Sequence, residues 1–194
     1  PHQGVDAILA AAHIITEIQA VVSRMNDPLN PLVITVGTIN GGQRFNILAD
    51  KVVMEGTTRT HSPKMRQETE PLLRRIVENS ADSMGAKATL TFEYFPAPII
   101  NDHEDLVRIA RNAATKMYGT DSLKPFPKMM ISEDFAYYME KVPGVFGLVG
   151  SQNKDLGLTA KNHNDHYTAD ESVLKRGAAM YAQFAYDFLE ETSG

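Results

Sequence analysis

Apolar residues recur in steps of three and four at Ile8, Ala11, Ile15, Ile18, Val22 and Met25, a spacing that lays one hydrophobic stripe along a helix. Asn26-Asp27-Pro28 ends it with turn-forming residues. The period then changes. Leu32 to Ile39 is short and β-branched and runs into Asn40-Gly41-Gly42, a strand followed by a hairpin signal. Lys51 to Thr60 reads as a second strand. Ser62-Pro63 places a capping hydroxyl and a pre-set backbone angle at a helix start. Leu72, Ile76 and Val77 lie on that helix, which ends near Gly85. Pro71 inside it predicts a kink or a later start, because proline lacks an N–H and crowds the preceding turn. Ala88, Leu90, Phe92 and Tyr94 alternate with Lys87, Thr89, Thr91 and Glu93, the two-residue period of a half-buried strand.

This α-β-β-α-β order becomes β-α-β-β-α-β if one strand precedes residue 1. That is the ferredoxin-like split unit, an antiparallel sheet with two helices on one face. A helix beginning almost at the first residue, with no strand to pack on, leads us to expect an N-terminal truncation. Pro96, Pro98 and Asn101-Asp102 mark a crossing segment, so two domains are expected, 1–96 and 97–194. The second begins with an amphipathic helix through Leu106, Ile109, Ala113 and Met117. A short strand at 128–131, a helical patch at 135–141 and a buried strand at 145–149 come after it. A last helix runs from about Glu171 to Leu189, with Leu174, Gly177, Tyr181, Phe184 and Phe188 on one face. Strands alternating with helices indicate α/β, though too few for a complete sheet.

Composition narrows the function classes. The 194 residues are 43% hydrophobic, enough for a sizeable core. The formal net charge is −5 and no run of Lys or Arg exceeds two, so the basic surface that nucleic acid requires is missing. No apolar run approaches the roughly 18 residues of a membrane span. With no cysteine, the stretch offers no disulfide, thiol nucleophile or thiolate ligand. We expect a cytoplasmic protein.

Five places could carry chemistry. Asn162-His163-Asn164-Asp165-His166-Tyr167 is the densest set of metal-capable side chains. Its imidazoles could ligate zinc with Asp165 orienting one of them, or the segment could be a solvated polar loop. Thr168 followed by Glu171 reads as a capping box for the last helix. Ser132-Glu133-Asp134-Phe135 follows an expected strand end, where carboxylates can serve a metal or substrate, or can cap the next helix. Arg59, in Gly56-Thr57-Thr58-Arg59-Thr60, suits a bidentate grip on a carboxylate or a surface position over its sheet. Asn46 is most simply a turn residue.

Taken together and in order, these segments resemble the M20 peptidase family, in particular its N-acyl amino acid hydrolases. Pro1-His2-Gln3-Gly4-Val5-Asp6, Ser23-Arg24 with Asp27-Pro28, Asn40-Gly41-Gly42 and Gly56-Thr57-Thr58-Arg59-Thr60 resemble its lid (dimerisation) domain. Glu133-Asp134-Phe135, Val142-Pro143-Gly144-Val145 and a closing His163, Tyr167, Asp170, Glu171 pattern resemble the C-terminal part of its α/β catalytic domain. Where that family has Asn-Val-Ile-Pro-Asp, this chain has Asn46-Ile47-Leu48-Ala49-Asp50.

The resemblance implies metal-dependent hydrolysis of the amide bond of an N-acyl amino acid or small peptide. It makes His163 a ligand of a two-metal site holding zinc or manganese. Asn46 and Arg59 would help hold the substrate carboxylate, Ser132 and Glu133 would line the pocket, and His166 has no matching role. The other ligands, the bridging carboxylate and the glutamate base belong to the family's N-terminal half, so the chain alone is expected to be inactive. A homodimer through the lid domain is implied too. A non-catalytic dimerisation or small-ligand-binding module is the alternative that residues 1–95 leave open.

Overall fold

The computed structural model describes residues 1–193. The chain forms two compact units, one of Pro1–Pro98 with Met130–Glu133, the other of Ile99–Met129 with the chain from Asp134 onward.

In the first unit Asp6 caps α1 (Ala7–Glu17), its Oδ1 accepting the N–H groups of Ile8 at 2.9 Å and Leu9 at 3.2 Å. Ala10, Ala11, Ile14, Ile18 and Val21 are buried, so the buried face is neighbour to the stripe the spacing predicts. Apolar residues occupy adjacent positions all along this helix. Beyond Ile18 the chain closes a π turn, Val21–Met25, in which the Asn26 N–H reaches Val21 O at 2.9 Å. The wider turn rotates Met25 off the core, leaving it 43% exposed. Contrary to the expectation from composition, Ala7–Met25 is long and apolar enough to cross a membrane. Here Ile14, Ile18 and Val21 pack in one core with Leu32 and Ile34 of the hairpin and Met65 and Leu73 of the helix that follows it.

Strands β1 (Leu32–Gly41) and β2 (Val52–Thr60) pair antiparallel from Leu32↔Thr60 to Gly41↔Val52. A bulge between Val36 and Thr38 resets the alternation, so that Ile34 before it and the Ile39–Met54 pair after it share a face. Gly56 is fixed by close approach, since a Cβ there would lie 2.5 Å from Thr35 O.

Ser62 caps α2 (Pro63–Ser83), its Oγ accepting the Met65 N–H at 3.2 Å. The helix runs through Pro71 without a delayed start. Met65, Thr69 and Leu73 anchor its inner face, while Pro71 and Gln67 lie on the exposed side, where water can reach the carbonyl that proline leaves unbonded. Both helices cover one face of the hairpin, with Ile14, Ile18, Val21, Leu32, Ile34, Met65, Leu73 and Ala81 in one core.

Residues 87–94 differ from the expected strand. Ala88, Leu90 and Phe92 pack half-buried on that core, but no ladder forms. Side chains of α2 hold the segment instead: Arg74 Nη1 donates to Leu90 O at 2.9 Å and Arg66 donates to Phe95 O. The Tyr94 hydroxyl donates to Glu70 at 3.1 Å.

In the second unit α3 (Glu104–Tyr118) buries Ile109 and Ala113 and packs on α5 (Leu174–Thr192). Arg108–Glu191 at 2.8 Å and Lys116–Asp187 at 3.1 Å tie the two helices. A short α4 (Phe135–Met139) sets Phe135 against Phe146 in a tilted ring contact, centroids 5.9 Å apart. Asn101 holds Phe146 through two hydrogen bonds of 2.9 and 2.8 Å. The expected strands at 128–131 and 145–149 carry no ladder; outside the β1–β2 hairpin the described residues form only single bridges, Pro98↔Ser132 in the first unit and Asn153↔Leu158 in the second. On α5 the expected face splits. Leu174 is 65% and Tyr181 82% exposed, whereas Gly177, Phe184 and Phe188 are half-buried.

Candidate functional site

Arg59 stands on the face of β2 opposite the core, across from Val33. Gly56 lets that part of the hairpin close, and the alternation of β2 then turns Arg59 outward. Its Nη1 donates to Met130 O at 2.8 Å. Residues 130–133 belong to the same unit, and Ser132, exposed, bridges Pro98. Glu133 is half-buried. The structure therefore brings Arg59 to the backbone just before Ser132. A guanidinium has five N–H groups in a fork, so the bond to Met130 leaves donors for a carboxylate.

Asn46 is elsewhere. It lies in a turn closed by the Ile47 N–H on Arg44 O at 3.3 Å, within the loop that links β1 to β2. That loop is pinned at the hairpin tip: the Ala7 N–H bonds Ala49 O at 3.1 Å, and Ala49 is buried. From Val52 to Arg59 a strand climbs about 24 Å, at roughly 3.4 Å per residue. Asn46 and Arg59 occupy opposite ends of one hairpin.

The second unit holds the His163 loop. Asn153 and Leu158 exchange hydrogen bonds of 2.9 and 2.8 Å around a turn that contains Gly157 at φ 70°. The chain then leaves through Thr159, whose carbonyl accepts from Gln152 Nε2 at 2.8 Å. Two local turns come next, Asn164 N–H on Lys161 O at 3.2 Å and Tyr167 N–H on Asn164 O at 3.0 Å. His163 sits in the first with φ 65°, the one positive value at a non-glycine among the described residues. The chain returns at Asp170, whose N–H bonds Ser151 O at 2.9 Å.

Asp170, and not Thr168, supplies the cap ahead of the last helix. Its Oδ1 accepts the Ser172 N–H at 2.9 Å at the start of a 3-10 turn, Glu171–Val173, that leads into α5. The capping box is thus replaced by an aspartate cap. The carboxylate's other oxygen accepts from Asn153 Nδ2 at 2.8 Å. These hydrogen bonds, that from Asn153 first, hold the Asp170 carboxyl below its usual range. His166 and Asp165 lie 3.7 Å apart with side chains 86% and 85% exposed, so this pair matches a solvated loop.

The exposed imidazole of His163 suits one ligand position. No group of three or more His, Cys, Asp or Glu that could hold a metal occurs among the described residues. A metal centre needs about four ligands, so these residues fit one contribution to a centre and not a whole one. Ser151, Gln152 and Asn153 stand out by no motif or period in the sequence. The Asn-Lys-Asp-Leu-Gly turn composition at 153–157 was the one signal that pointed to them.

The profile of Peptidase family M20/M25/M40 matches residues 3–187. The chain is 33% identical over 196 residues to IAA-amino acid hydrolase ILR1-like 4 of Arabidopsis thaliana, covering 98% of this chain and 44% of that protein. It is 32% identical over 190 residues to the N-acetyl-L-cysteine deacetylase of Bacillus subtilis, covering 98% and 44%. Among solved structures it is similar to a Bacillus subtilis protein described as a dinuclear metal binding peptidase from the M20 family. That match has 28% identity and a TM-score of 0.76, and covers 97% of this chain and 47% of that one. The chain thus spans a little under half the length of these proteins.

Proposed function

Because the chain belongs to peptidase family M20/M25/M40, we propose that it is the part of a metal-dependent amidohydrolase that supplies His163 to a two-metal centre and Arg59 to the substrate carboxylate. The substrate class is an N-acyl amino acid or small peptide. Two similar proteins support it by name, an IAA-amino acid hydrolase and an N-acetyl-L-cysteine deacetylase. The dinuclear site of a structural relative supports two metal ions, which we take to be zinc or manganese.

The observation that carries the reading is the left-handed backbone of His163. Such a conformation costs a non-glycine residue on the order of 1–3 kcal/mol and persists where the surroundings fix it, often at functional sites. The loop ends are fixed at residues 151–153. Bound metal supplies Lewis acidity toward the amide carbonyl and a water of lowered pKa. His163 would hold one ion through a ring nitrogen. Arg59 would orient the substrate by its carboxylate, and Ser132 and Glu133 would line that end.

Asn46 cannot share Arg59's carboxylate within one protomer, given the length of hairpin between them. In a homodimer formed through the first unit, the β1–β2 loop of one protomer would bring Asn46 to its partner's substrate. For the same unit we propose the complete ferredoxin-like lid, with one further strand paired to residues 87–94.

In the full-length protein, His163→Ala should reduce amide hydrolysis by two orders of magnitude or more and lower the bound metal measured by atomic emission. Wild-type turnover with full metal loading would remove the assignment.

A further inference from the structure

We propose that Asn153 and Asp170 form a clasp that positions His163 for metal; the inference rests on the reading of His163 as a ligand. The loop from Thr159 to Asp170 leaves from and returns to the same three residues. Gln152 holds its start through Thr159 O at 2.8 Å, and Ser151 O holds its end through the Asp170 N–H at 2.9 Å. Tyr167 and Ser151 hydroxyls meet at 3.2 Å. A compact loop with adjacent ends is a recurrent carrier of functional groups. Between those ends the bonds are local turns on an exposed surface, and these alone leave the left-handed His163 weakly determined.

The part-buried contact at the base is the Asn153 Nδ2–Asp170 Oδ2 hydrogen bond of 2.8 Å. Both partners are themselves fixed. Asn153 has its N–H and C=O bonded to Leu158, and its Oδ1 accepts from the N–H groups of Asp155 at 3.1 Å and Leu156 at 3.3 Å. With the oxygen engaged there, the amide nitrogen turns to Asp170. Asp170 divides its oxygens between Asn153 and the Ser172 N–H. One side-chain pair therefore joins the 153–158 hairpin, the His163 loop and the start of α5. Asn153 is a positioning residue, acting on metal only through His163.

The test exchanges the two groups in the full-length protein. Asn153→Asp sets two carboxylates face to face. The double variant N153D/D170N restores one donor against one carboxylate at the original net charge. Titrating Mn2+ by calorimetry, N153D should weaken the site that His163 serves by about tenfold or more, the usual effect of losing a group that orients a ligand. The double variant should recover most of that loss. Amide exchange across 160–167 should rise in N153D and fall again in the double variant. Should N153D unfold, Asn153→Ser removes the amide without adding charge and is read the same way.

Wild-type Mn2+ affinity in N153D, or no recovery in the double variant, overturns the clasp. His163→Ala is titrated alongside. If it too binds Mn2+ as wild type does, the ligand reading has failed and the clasp falls with it. If His163→Ala loses the ion while N153D keeps it, the clasp alone is wrong.

Discussion

A β-carbon cannot enter the space beside Thr35 O, and that single exclusion fixes the glycine that opens Gly56-Thr57-Thr58-Arg59. Gly56→Ala should lower stability by about 1–3 kcal/mol in denaturant unfolding, the usual range for a steric change in a packed position; an unchanged midpoint would show that the strands can part at no cost. Asp170 gives a pH prediction. Its carboxyl is held down chiefly by the Asn153 hydrogen bond, so the folded chain favours the charged form. That contribution is complete above the ordinary carboxylate range and is lost as pH falls through the depressed value. Asn153→Ala should move the carboxyl titration upward when followed by carbon NMR; an unmoved midpoint would mean Asn153 is not the cause. Some of these roles were legible in the sequence. Ser62 caps α2 as its Ser-Pro pair announces. Asn153 was not legible, because its partner lies across a loop and no periodicity links the two. Asp170 was hidden by Thr168, whose spacing to Glu171 imitates a cap that the backbone does not adopt.

Elements show where pattern stops being informative. Alternation at 87–94 correctly gives the half-buried side of Ala88, Leu90 and Phe92, though Tyr94, expected with them, is 47% exposed, and a strand also needs a neighbour to take its N–H and C=O groups. Alternation says nothing of that neighbour. The same holds at 128–131 and 145–149, which carry no ladder here. In α1 the helix was legible and its face was not, since apolar residues flank the predicted stripe and the π turn shifts the phase after Ile18. An exchange experiment separates pattern from pairing. In this chain alone, amides of 88–94 should exchange far faster than those within β1 and β2. In the full-length protein they should gain at least tenfold protection, in keeping with the proposed four-stranded lid. Equal exchange in the two forms would argue that no strand joins this segment.

At the scale of the molecule, the chain is a little under half the length of its relatives, and its described residues offer no three-ligand cluster. Order and spacing along the chain identified the family because a dispersed set of short motifs survives where any one of them is weak. The division of labour within the proposed enzyme was less legible. The hairpin sets Asn46 and Arg59 far apart, which spacing in sequence does not reveal. The proposed function stands on contact between His163 and metal. A crystal structure of the full-length protein, with anomalous data collected at the zinc or manganese edge, tests it most directly. A peak is expected about 2.0–2.2 Å from a His163 ring nitrogen. A complete metal centre with the His163 imidazole in solvent would contradict it.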